Sequence, residues 1–515
     1  MQTRFLPLAA VAALSIGGCA VGPNYKAPRT PLPPAFDTGP TSLAATTRPA
    51  TQPARPIDLA RWWQSLDDAE LNSLVERAIQ SNLDLKIALN RLQEARAGEY
   101  VVSGGTMPLV DFAGAAARSS GSDSTRGRIP GPIHSGANTA GLQEITHVVG
   151  FDAGWELDLF GRFRREIEAS RADTQAAAEA RNVVLIALIS DVARAYTDTR
   201  ALQLRLAVAR ENIRTQEQTD DFVHGRRRKG LANDLEVALA DRQLATVRSF
   251  VAPLEAAIAQ SQRRVAVLLG VLPQDLSAEL QQPGNLPAPP ERIEPGLPVE
   301  LLRRRPDVRE SERQLAASTA RIGVATANLF PRVAITGAYG FQGQGLGRTP
   351  VENKMIWSAG PQAYWPLLDF GTIDALIEVQ DFRTRELLYN YRRTVLQAVE
   401  EVDDAISNYT AQRDRLDQLG MALEASRQAV NLATQRYERG LTDFLNVLDA
   451  QRQLYELQDQ YAVAQDAVVL EFIALYKALG GGWESYQKVP DIRHPQPAVL
   501  AVGREVLSPG QSSAR

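Results

Sequence analysis

Few residues in this sequence have the types and spacing that chemistry needs. The only cysteine is Cys19, which leaves no intrachain disulfide and no cysteine-based metal cluster. His134, His147, His224 and His494 are scattered without HxxxH or HExxH spacing, and each reads as an ordinary surface or strand residue, so no metal site is expected. There is no P-loop, no GxSxG elbow and no GxGxxG following a strand. Gly343, Gly345 and Gly347 are spaced GxGxG, but their polar surroundings read as a flexible loop. Without a convergent acid, base or nucleophile set, the chain is not expected to be an enzyme. One thiol and some clustered charge remain. Arg226-Arg-Arg-Lys229 is the densest positive run, placed where a helix end favours cations.

The thiol has a context. Met1-Gln-Thr-Arg4, the apolar stretch Phe5–Ile16 and Gly17-Gly18 form a secretory signal over residues 1–18. Ile16-Gly17-Gly18-Cys19 resembles the bacterial lipobox, in which the cysteine is acylated and becomes the first mature residue. A covalent lipid on Cys19 is therefore expected, and no other cofactor. Ala20 follows, not an aspartate, which in bacterial lipoproteins favours the outer membrane. Residues 19–60 hold Pro23, Pro28, Pro31, Pro33 and Pro34 and cannot build a core, so they form an extended tether.

The bulk composition excludes other classes. The 515 residues are 44% hydrophobic and 23% charged, with a net charge of −4, which gives no reason to expect a nucleic-acid partner. Beyond the N-terminus no run approaches the ~20 apolar residues of a spanning helix. Spanning β-strands stay open, because their signal has period two and is weak per segment.

The elements come in pairs. Arg436–Tyr455 reads as the end of one long helix, a turn at Gly440 and the start of another, with Thr442 or Asp443 expected to cap the second helix. Gly230, Leu231, Val237 and Arg242-Gln243-Leu244 recur as Gly440, Leu441, Val447 and Arg452-Gln453-Leu454, all 210 residues later. Phe160-Gly161 recurs as Phe370-Gly371 at the same offset, while Asp84, Leu92, Pro108 and Gly114 recur 223 residues later. The chain is an internal tandem repeat, 61–300 and 301–482, with a tail at 483–515. Each half holds a helical hairpin, 161–270 and 371–480. Val395, Val399, Val402, Ile406, Tyr409, Leu416, Leu423 and Val430 step by threes and fours, implying coiled-coil-like packing. At 1.5 Å per residue, such a helix is on the order of 100 Å long.

Strands precede each hairpin. Val149, Phe151, Ala153, Trp155 and Leu157 alternate with smaller or polar residues, as do Val333, Ile335, Tyr339 and Phe341. Weaker copies span 108–118 and 355–365. Alternation alone also fits a soluble sheet on a helix layer, but strands of about ten residues suit a membrane barrel. One chain has four strands, and lipid tolerates no open sheet edge, so the chain must pool strands with other copies. The count itself does not fix how many.

Several segments together resemble the TolC-like outer-membrane efflux channels, in the lipoprotein branch of the OprM and NodT type. They are Cys19-Ala-Val-Gly-Pro-Asn-Tyr25 with Pro28, Trp155-Glu-Leu-Asp-Leu-Phe-Gly161, Arg304-Arg-Pro-Asp307, Ala327-Asn-Leu-Phe-Pro331 and Arg436–Arg452. The resemblance implies an α+β membrane protein and a homotrimer. Twelve pooled strands would form a transmembrane barrel, continuous with an α-barrel tunnel of helical hairpins projecting into the periplasm. It also implies a periplasmic adaptor and an inner-membrane efflux transporter of the RND type as partners, with outer-membrane lipid around the barrel. Competing readings are a duct for type I protein secretion and a lipid-anchored periplasmic coiled-coil scaffold. A scaffold or adaptor would show one hairpin, whereas this chain shows two with four strands.

In that architecture the Gly230 and Gly440 turns lie at the periplasmic end, and the family's closed state narrows on the helix after the second turn. The matching positions are Leu445, Asp449 and Arg452, which share one helix face, with Tyr437 placed to bond a neighbouring helix. Leu239 stands where Asp449 does in the other half, so the acidic ring belongs to the second hairpin. Lys229, Gly230, Leu231, Arg439, Gly440 and Leu441 form the hairpin tips expected to meet the adaptor.

Overall fold

The computed structural model describes residues 20–28, 58–119, 144–290, 304–346 and 352–486. Cys19, the signal segment 1–18, most of the tether and the tail beyond Tyr486 lie outside the described residues.

Chain order begins with a 3-10 turn, Leu59–Leu66, and α1, Ala69–Ser81. Asp68 caps α1 by accepting the Leu71 N–H at 2.9 Å, and Leu71, Leu74, Val75 and Ala78 bury one face. Helix α2, Leu83–Gly104, leads to strands β1, Leu109–Ser119, and β2, Glu144–Leu157. Helix α3, Arg162–Arg228, runs 67 residues and returns as α4, Asp234–Ser249, and α5, Val251–Leu268. After α6, Pro273–Leu280, the pattern repeats with α7, Pro306–Ala327, then β3, Arg332–Leu346, and β4, Glu352–Tyr364. The second hairpin is α8, Thr372–Glu438, again 67 residues, and α9, Phe444–Ala478.

The halves differ in the return leg. The 35 residues of α9 are unbroken, whereas the first return breaks at Phe250 into α4 and α5. Pro253 explains the break. It has no N–H for the Ser249 carbonyl, while its counterpart 210 residues on is Val463.

Two compact units form, and their boundaries cut across the repeat. One gathers Gln93–Ala176 and Ser311–Tyr391 with segment 20–28, and it contains a single antiparallel sheet in the order β1-β2-β3-β4. Among the described residues both outer strands have a free edge. The Gly-rich stretch expected as a loop is partly strand: Gly343 pairs with His147 and Asn353, and Gly345 with Ile145. Glycines had masked the alternation. At Gly343 a Cβ would overlap the His147 ring, which bridges to Asn353 at 2.8 Å, so a larger residue there would displace that side-chain bridge.

In the same unit the start of the tether is docked. Arg165, 4% exposed, donates to the carbonyls of Val21 at 3.0 Å and Gly22 at 3.2 Å and to Asn24 Oδ1 at 2.7 Å. Tyr25 adds a bond to Glu312 at 3.0 Å.

The second unit takes Arg29–Leu92, Ala177–Glu310 and Arg392–Arg515. Its core includes Trp62, fully buried, stacked on Tyr476 at 5.8 Å and edge-on to Phe472 at 6.2 Å. Of the expected seam on α8, Val395, Val402, Ile406, Tyr409 and Leu423 are buried, while Val399, Leu416 and Val430 are only partly covered.

Candidate functional site

The sheet presents two unlike faces. Register aligns Phe112, Phe151, Tyr339 and Trp357 in one row across all four strands. These aromatics are 66%, 52%, 52% and 71% exposed. The neighbouring row aligns Val149, Phe341 and Met355, also exposed. The opposite face aligns Asp111, Asp152, Ala338 and Ser358, with Gln342 beside Lys354. An apolar face of this extent in water is rare for a monomer, and the division is that of a strand between lipid and a wet lumen. Trp155 and Trp365, 210 residues apart, donate their ring N–H to the carbonyls of Thr106 at 2.9 Å and Leu329 at 3.0 Å. An apolar ring with a satisfied polar tip suits a membrane–water interface. No helix among the described residues is long and apolar enough to cross a membrane.

The hairpin turns are built alike. Gly230 and Gly440 adopt φ of 73° and 72°, the left-handed region that only glycine enters without cost. Each closes its helix with paired bonds: Gly230 N–H to Arg227 O and Leu231 N–H to Arg226 O, then Gly440 N–H to Tyr437 O and Leu441 N–H to Arg436 O. Leu231 and Leu441 are left 61% and 63% exposed beside them.

The helices leaving the two turns start differently. Asn233 caps α4 by accepting the Glu236 N–H at 2.9 Å. The cap expected from Thr442 or Asp443 does not form: Asp443 makes no side-chain cap bond, and Thr442 Oγ1 accepts from Asn446 Nδ2 at 2.7 Å instead. Helix α9 is held by its Phe444, Val447 and Leu448 face, buried against Tyr437, Val223 and Ala240. That packing turns Leu445, Asp449 and Arg452 to the opposite, exposed face. Arg452 donates to Asp449 Oδ1 at 3.0 Å and Gln453 to Asp449 Oδ2 at 2.8 Å. Both charges of the ion pair are more than half exposed, so it contributes little stability.

Tyr437 is 5% exposed and donates its hydroxyl to Glu236 Oε2 on α4 at 2.8 Å. Burial first, and then the hydrogen bond to Glu236 and its charge, push that hydroxyl up to about 12, so it stays a donor at any physiological pH. The Arg226 guanidinium lies 4.8 Å over its ring. Arg227, the counterpart of Tyr437, pairs with Asp234 at 2.5 Å.

The profile described as "Outer membrane efflux protein" matches residues 74–271 and 297–481. The chain belongs to the outer membrane efflux protein family. It is 30% identical over 498 residues to Nodulation protein T of Rhizobium leguminosarum bv. viciae, covering 95% of each chain. It is 28% identical to Toluene efflux pump outer membrane protein TtgC of Pseudomonas putida, covering 94% of this chain and 96% of that one. Among solved structures, the outer-membrane channel OprN superposes with a TM-score of 0.78 at 35% identity, covering 91% of this chain and 100% of that one. The fold is that of a TolC-like channel, and the protein is an outer-membrane efflux duct.

As a member of this family the chain shows three residues that sequence reasoning passed over. Leu235 stands 210 residues before Leu445 and is 62% exposed against its 57%, so both hairpins present a leucine there. The repeat offset would have found it. Glu236, the partner of Tyr437, and Arg165, which docks the tether, had no signal in the sequence, since each acts across a large sequence separation. Cys19 lies outside the described residues.

Proposed function

We propose that three copies of this chain close one twelve-stranded barrel, lipid-anchored through Cys19. An inner-membrane transporter of the RND type and a periplasmic adaptor would load the duct. The observation that carries the assembly is a pair of half-made contacts. Phe160, at the end of β2, stacks on Phe330, just before β3, at 4.7 Å. The repeat counterparts of these rings are Phe370 and Met107, which are 96% and 67% exposed. They stand at the free edges of β4 and β1, where another copy would complete both the contact and the sheet. In lipid each open edge costs several kcal/mol per unpaired backbone group, so closure is compulsory.

Threefold symmetry would set three Asp449 carboxylates and three Leu445 side chains around the axis at the periplasmic end. The acidic ring favours cations, and the leucines narrow the path by excluding water. Lys229, Gly230, Leu231, Arg439, Gly440 and Leu441 would receive the adaptor, with Leu231 and Leu441 as apolar contacts amid positive charge. Specificity would rest with the transporter.

The test is single-channel recording in planar bilayers. Replacing Asp449 and Arg452 together with alanine is expected to raise conductance and weaken cation preference. Unchanged conductance and selectivity would remove these residues from the gate.

A further inference from the structure

One cluster of ligating side chains plays no part in the gate. Asp220 and His224 lie one turn apart near the C-terminal end of α3, and Asp241 faces them from α4. We propose that Asp220, His224 and Asp241 form a site for a divalent d-block cation such as zinc, clamping the two helices of the first hairpin close to its Gly230 turn.

The geometry is the first support. One ligand atom from each residue lies within 4.8 Å of the others. His224 Nε2 stands 3.2 Å from Asp241 Oδ1 and 3.7 Å from Asp220 Oδ2. Zinc bonds of ~2.0–2.1 Å at tetrahedral angles place ligand atoms ~3.3 Å apart, so little movement is needed. The i,i+4 spacing of Asp220 and His224 sets both on one face of α3. Three protein ligands leave a fourth position for water.

Burial is the second support. Two carboxylates and an imidazole from two helices converge on one point. Asp220 Oδ1 is buried without a hydrogen-bond partner. The imidazole argues for zinc, copper or nickel over calcium or magnesium, which take all-oxygen shells.

The test uses the full-length chain in detergent, stripped with a chelator and titrated with zinc against a chromophoric competitor. One zinc per chain is expected, and cobalt in its place should show the visible bands of tetrahedral coordination. His224→Ala and Asp241→Asn should each weaken zinc binding by more than about 100-fold, beyond what changes outside the ligand set cost. His147→Ala should bind as wild type does. Asp241 is 56% exposed and its amide variant is isosteric, so that variant folds even if His224→Ala does not. Non-saturating binding, or equal affinity in wild type and Asp241→Asn, would overturn the site.

Discussion

Tyr437→Phe isolates one bond. The ring stays in its packing, 5.3 Å from Phe444 and 6.3 Å from Phe222, and only the 2.8 Å hydrogen bond to Glu236 is lost. A hydrogen bond to a charged group contributes ~1.5–3 kcal/mol, and Glu236 is partly exposed and can rehydrate, which favours the lower figure. If the bond exists only in the closed state, losing ~1.5 kcal/mol multiplies the open-to-closed ratio about tenfold per chain. Three chains opening together would give about a thousandfold. Planar-bilayer recordings should show longer openings for Tyr437→Phe, and the same change for Glu236→Gln. Because the hydroxyl stays protonated to about 12, the effect should be constant from pH 5 to 9. Combining the two changes should add little, since both remove one interaction. A lowered melting temperature with unchanged gating would refute the reasoning: the bond would then hold the hairpin in every state.

The helical unit yields further expected outcomes. Burial, with the Asp198 charge, raises Asp466 from 3.8 to about 7 despite Arg205 and Arg194. The folded state therefore holds this proton more tightly than the unfolded one, and stability falls as pH rises from about 4 to 7. Asp466→Asn should flatten that slope in a melting series and raise the melting temperature at pH 8; an unchanged slope contradicts the assignment. Trp62→Ala removes a fully buried ring and should cost about 3–5 kcal/mol, read as a large drop in melting temperature. A shift of a degree or two would mean that the Trp62, Phe472 and Tyr476 cluster is not central to that unit.

The repeat was the most legible part of the fold. The 210-residue offset located both glycine turns, and the paired register repeats with both offsets: Leu109 opposite Gly154 becomes Arg332 opposite Tyr364 after adding 223 and 210. Local chemistry set those features, so local reading found them. Gly343 was misplaced because its strand identity comes from two neighbouring strands, not from its own side chain. Pro253 was legible in principle, since one missing N–H breaks the return leg. The cap expected from Thr442 or Asp443 is absent: Asp443 makes no cap bond, and the Thr442 hydroxyl accepts from the Asn446 side chain instead. Glu236 was invisible for another reason: its partner Tyr437 lies 201 residues away.

The central claim is a barrel closed by copies of this chain, and its register can be calculated. Asp152 pairs with Ala338, so adding 210 and subtracting 223 sets Gln362 opposite Ala115 of a neighbouring copy. Directly opposite residues of antiparallel strands lie ~4.5–5.5 Å apart, within disulfide range. In cells, Gln362→Cys with Ala115→Cys should oxidise to a covalent trimer on a denaturing gel, while Gln362→Cys with Gly114→Cys, facing opposite sides, should not. Monomers from the first pair, or trimers from the second alone, would contradict the account.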